Sequence, residues 1–190
     1  MIVALETAAL LFIAVAMALA LAHALEWPGK RRLPKAHYLA VQAIYYPGFT
    51  VGGFAEPLGV LLLIVLAVLT PAGTAAFWLT VGAALALAAM HAAYWLLTHP
   101  VNNFWLKDVA LTGLGKGFFA IGGSATDSTP DWTALRDRWE MSHVVRAVFG
   151  ILALGLAAAA TACEPIRFHN RHDYNRTESP APSAFRACRP

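Results

Sequence analysis

Residues 140–146, EMSHVVR, put a carboxylate, an imidazole and a guanidinium on one helical face. Glu140 and His143 are three apart and Arg146 is three further on, so each lies one turn above the last. Such a set can move a proton, hold an oxyanion or ligate a metal. It stands in an apolar setting, because Arg146 is the only charge between residues 144 and 162. Ionisable groups in such runs are costly, which makes each a functional candidate. The same holds for the pair His23-x-x-Glu26, for Glu56 directly before Pro57, and for His91.

These residues need elements to position them, and the composition says which. Of 190 residues, 58% are hydrophobic and 13% charged, with a mean hydropathy of +0.57. A soluble domain carries roughly twice that charge fraction. The chain is expected to be an all-α integral membrane protein in contact with the lipid bilayer. The net charge of +3 sits in loops and tail, with no soluble basic surface for nucleic acid. Cys163 and Cys188 form no zinc-ligand pattern, and no phosphate-binding motif is present.

Four apolar runs are long enough to span a bilayer. The first covers residues 2–25 and is taken as a retained helix, since no positive charge precedes it as in a signal peptide. Residues 26–35, EWPGKRRLPK, read as a turn with four positive charges, and residues 36–46 as a short interfacial helix with His37, Tyr38, Tyr45 and Tyr46 at headgroup level. The second span opens at Pro47-Gly48 and runs to about Thr70, with Glu56-Pro57 inside it. The third covers residues 74–98 and ends at His99-Pro100. A Gly-rich loop follows over residues 101–130, with a short surface helix near 105–114. The fourth covers residues 131–162, with Asp131 as its N-cap. The reading is a transmembrane domain over residues 1–162, an up-down-up-down four-helix bundle, and a disordered polar tail over 163–190 that holds His169 and His172.

Lys30, Arg31, Arg32 and Lys35 in the first loop, and Lys107, Lys116, Arg136 and Arg138 in and after the third, place both loops in the cytoplasm and both termini outside the inner membrane. Five tail arginines argue the other way. If the termini face the periplasm, a Cys163–Cys188 disulfide is permitted.

In this topology the polar residues share one half of the membrane. Glu56 lies about 13 Å and His91 about 12 Å from the side of the first and third loops. His23, Glu26, Glu140 and His143 stand at the same end. The set allows three readings. His143 can act as a base on a lipophilic aromatic, with Arg146 or His91 holding the oxyanion, Glu56 as a further catalytic group, and Tyr94, Trp95, Asn102 and Trp139 lining the pocket. His143 is expected to be neutral beside Arg146. Alternatively His23, Glu26, Glu56, His91, Glu140 and His143 supply ligands for a divalent metal or haem. Or the groups only pair among themselves, Glu140 with Arg136 or Arg138 for example, in a small subunit or assembly factor of a membrane complex.

The segment THPVNNFW at residues 98–105, and WTALRDRWEMSHVVRAVFGIL at 132–152, resemble the anthrone oxygenase-like family of small four-helix membrane proteins. Leu135, Arg136, Trp139, His143 and Arg146 fit its helix-four segment. Pro100, Asn102 and Asn103 fit its Pro-x-Asn segment, and Glu26-Trp27-Pro28 its acidic residue and proline after helix one. His99 and Glu140 depart from the pattern. The resemblance covers about residues 2–160. It implies the four-helix fold and, for some members, oxidation of anthrones to anthraquinones by O₂ with no obvious cofactor.

Overall fold

The computed structural model describes residues 1–46, 48–105 and 131–163. They are mostly helical, with no strand among them: α1 (Ile2–Lys30), α2 (Lys35–Gln42) with a 3₁₀ turn (Ala43–Tyr45), α3 (Gly48–Gly52), α4 (Ala55–Leu69), α5 (Ala75–Ala93) with a π-helical turn (Tyr94–Thr98), α6 (His99–Trp105) and α7 (Trp132–Cys163). Four stretches are long and apolar enough to cross a membrane: Ile2–Lys30, Gly48–Leu69, Ala75–Asn102 and Trp132–Cys163. They pack as a ring, with α1 and α5 each against both α4 and α7. The proposed surface helix at 105–114, except Trp105, and the tail with His169, His172 and Cys188, lie outside the described residues.

One half of the ring is apolar. Ala9, Ile13 and Ala16 of α1 meet Leu63 of α4, Ala83 and Leu87 of α5 and Ala153 of α7. In a bilayer the surroundings are as apolar as these side chains, so close packing rather than water exclusion would hold such helices together. Small residues permit it. A Cβ on Gly150 would stand 3.1 Å from the Met17 Cα, so α7 runs nearly backbone to backbone against α1.

Three boundaries differ from the sequence reading, each with a local cause. First, residues 26–30 are not a turn: α1 continues through Pro28 to Lys30. Proline leaves the Ala24 carbonyl without its helical donor. Against that, Glu26 and Lys30 become an i, i+4 pair in the favourable order, and Lys30 finds buried partners. Second, the second span is broken at Gly53-Phe54, so Glu56 and Pro57 lie in the first turn of α4 rather than mid-helix. Proline is tolerated there because its missing N–H would have no helical partner, and a carboxylate is favoured by the helix dipole. Third, the third span does not end at Thr98. The π turn carries the helix on through Pro100 to Trp105. Pro100 cannot donate to the Leu96 carbonyl, and Arg138 Nη2 of α7 donates to it instead at 2.8 Å.

Asp131 does open α7. Its Oδ1 accepts from the Thr133 N–H at 2.9 Å, and that contact, with the Thr133 hydroxyl, holds its carboxyl below the usual carboxylate range.

Candidate functional site

The other half of the ring forms a partly open cavity of about 290 Å³. His23 of α1, Glu56 of α4, His91 of α5, and His143 and Arg146 of α7 line it, as do Tyr94, Trp95, Asn102 and Trp139. The structure thus brings all four proposed catalytic residues and all four proposed pocket residues to one space. Glu26 and Glu140 are not among the lining residues.

A chain of polar contacts runs along the cavity. The Trp95 indole N–H donates to His91 Nε2 at 3.0 Å. Indole nitrogen only donates, so Nε2 is the acceptor and His91 carries its proton on Nδ1. That Nδ1–H donates to Glu56 Oε2 at 3.1 Å. The other Glu56 oxygen accepts from Arg146 Nη2. Arg146 Nη1 donates to His143 Nδ1 at 3.2 Å. Guanidinium has no acceptor, so a neutral His143 carries its proton on Nε2. That nitrogen is buried and has no partner among the described residues.

The His143 ring then meets His23, with centroids 4.2 Å apart. A second network starts there. Lys30 Nζ lies 3.2 Å from His23 Nδ1, 3.0 Å from Glu26 Oε2 and 3.6 Å from Glu140 Oε1. It also stands 4.9 Å above both the Tyr45 and the Trp139 rings. Two carboxylates and two aromatic faces replace the water that a buried ammonium gives up. Glu140, fully buried, accepts from the Tyr38 hydroxyl at 3.0 Å, and the Tyr45 hydroxyl donates to Glu26. Burial first, and the adjoining Glu140 and Glu26 carboxylates, push the Tyr38 and Tyr45 phenols well above their ordinary value.

Glu140 does not pair with Arg136 or Arg138, as one reading expected, because Arg136 is bonded to Asp137 and Arg138 reaches Leu96. In this arrangement the His143 lone pair is taken by Arg146, which leaves its Nε2–H as a donor. The six metal-ligand candidates divide between the two networks. Among the described residues no group of three or more His, Cys, Asp or Glu side chains is placed to hold a metal ion.

Lys30 was not expected at the site. Its signal is the Glu26-x-x-x-Lys30 spacing, which has meaning only if the helix passes Pro28. Thr98 and Ser142, buried and hydrogen-bonded to each other at 2.8 Å, are likewise absent from the sequence reading.

The sequence matches no protein-family model, and no match is found among curated proteins or solved structures.

Proposed function

We propose that this chain is a multi-pass membrane enzyme that binds an oxygen-bearing aromatic lipophile, anthrone- or quinol-like, in the cavity and promotes its oxidation by O₂. The observation that carries the reading is the wall itself: Tyr94, Trp95 and Trp139 rings beside a Glu56–Arg146 pair and three imidazoles, within a lipid-soluble frame. The resemblance to the anthrone oxygenase-like family, carried by Arg136, Trp139, His143 and Arg146, points the same way. In this reading the bundle runs up-down-up-down, with α2 at the headgroup level and the cavity toward the first and third loops.

For a methylene activated by a ring carbonyl, the balance is R₂CH₂ + O₂ → R₂C=O + H₂O. Among the described residues Glu56 is the only carboxylate lining the cavity, and it acts as base, since two of its lone-pair sites remain beyond those held by His91 and Arg146. Loss of the C–H proton leaves an enolate whose oxygen is held by the His143 Nε2–H and by Arg146. The electron-rich carbon reduces O₂, and the protons taken from carbon end in water. The space left between these polar groups supports an enzymatic reading over a purely structural subunit role.

The test is anthraquinone formation from anthrone by the purified protein in nanodiscs, followed by absorbance against uncatalysed autoxidation. Glu56→Gln and His143→Ala are expected to lose the acceleration, by about a hundredfold or more. No acceleration by the natural chain, or full activity in both variants, overturns the reading.

A further inference from the structure

We propose that Glu26, Lys30 and His23 form a proton relay from the water boundary to the cavity. The accessibilities are ordered along it: the Glu26 side chain is 44% exposed, Lys30 5% and His23 4%. Each step is within hydrogen-bond reach, 3.0 Å from Glu26 to Lys30 and 3.2 Å from Lys30 to His23 Nδ1. His23 lines the cavity, and Lys30 donates to its Nδ1, so the ring presents its proton on Nε2. An imidazole can release a proton from one nitrogen while it takes one at the other, with no rotation of the ring.

The comparison with His143 singles out His23. Both rings accept a hydrogen bond from a cation at Nδ1. Behind His143 stands Arg146, whose guanidinium does not give up a proton in proteins. Behind His23 stands a lysine, which does, and which is paired with the half-exposed Glu26 carboxylate, itself 3.9 Å from His23 Nδ1. Around His23 the other facing groups are Tyr45, Phe49, Trp139 and His143, with the Arg146 charge nearby. Around Lys30, Glu140 holds the amine from α7 and keeps it in place against the Tyr45 and Trp139 rings.

The step is a proton transfer alone. As an oxygen anion in the cavity takes the His23 Nε2 proton, Lys30 Nζ passes one to Nδ1, and Lys30 regains its own from water through Glu26. No electrons move. The use of that proton rests on the proposed oxidation; the path does not.

The test measures exchange of the His23 ring proton with water by NMR, on full-length protein with ¹⁵N-labelled histidine in nanodiscs. Glu26→Gln and Lys30→Met are each expected to slow the exchange about tenfold or more. Should Lys30→Met fail to fold, Glu26→Gln decides, since it alters a half-exposed side chain. Unchanged exchange in the folded variants overturns the relay. Anthrone turnover, measured on the same samples, separates the two readings. Slowed exchange without any turnover by the natural chain leaves the relay and removes the oxidation. Turnover with unchanged exchange does the reverse.

Discussion

Tyr38 shows how a single side chain is committed by its surroundings. It is fully buried, meets the Trp105 ring edge-on with centroids 5.4 Å apart, and gives its hydroxyl to the buried Glu140. Ionising it would place a phenolate beside a carboxylate, and its folded-state value is raised above the ordinary 10.0. A raised value means that the folded state holds the proton longer than the unfolded state. The stability so linked is fully present below about pH 10 and declines as pH rises above it. The absorbance of tyrosinate at 295 nm checks this. Between pH 9 and 11 the Tyr38→Phe variant is expected to titrate the same number of phenols as the natural chain, and one fewer signals that Tyr38 ionises freely. Glu56 and Arg146 are committed in another way, as a buried ion pair. Truncation of one partner strands the other, at a cost of about 3–5 kcal/mol. Arg146→Met is therefore expected to unfold at clearly lower denaturant than Arg146→Met/Glu56→Gln, and equal midpoints would show that the pair is not coupled.

At the level of elements, breaks in regular structure position the site, and these were the least legible features in the sequence. The four apolar runs could be read because length and composition alone define a span. The convergence of His23, Glu56, His91 and His143 could be read because matched depth follows from residue counting. The continuation past Pro28 and Pro100 could not, because each proline is compensated by a residue distant in sequence or by a buried partner. Arg138 is separated from Leu96 by 42 positions, and no local pattern links them. The role of Arg138 as a substitute donor is testable with a double-mutant cycle. Pro100→Ala returns an N–H to the ladder, so Arg138→Ala, expected to cost about 1 kcal/mol in the natural chain, is expected to cost less in the Pro100→Ala background. Additive losses in thermal unfolding would show that Arg138 serves another purpose. In the apolar half, Gly150→Leu must drive α7 away from Met17. A loss of about 1–3 kcal/mol is expected, and an unchanged melting temperature would mean that the two helices do not touch as described.

For the whole molecule, the division into a polar and an apolar half makes orientation in the membrane a functional matter, since it decides which compartment meets Glu26. The charge count that gave cytoplasmic first and third loops needs revision in light of the structure. Lys30 is buried between carboxylates and Arg136 is bonded to Asp137. Neither is a free loop charge. The first loop retains Arg31, Arg32 and Lys35, and the second, at residues 70–74, still has none. The rule weighs lysine and arginine close to the ends of the spans, and early helices usually dominate over later ones. The three first-loop charges therefore outweigh the tail arginines, and the first loop is expected in the cytoplasm with the relay drawing on cytoplasmic protons. The check replaces Cys163 and Cys188 with serine and introduces one cysteine at Ala36 or at Ala72, both exposed positions. Neither substitution alters the charge count. A membrane-impermeant maleimide added to intact cells is expected to label Ala72→Cys at once and Ala36→Cys only after permeabilisation. The opposite pattern would mean that the tail arginines set the orientation and that Glu26 opens to the outside. Labelling of both positions without permeabilisation would contradict the alternation of the spans itself, because the first and second loops would then lie on one side.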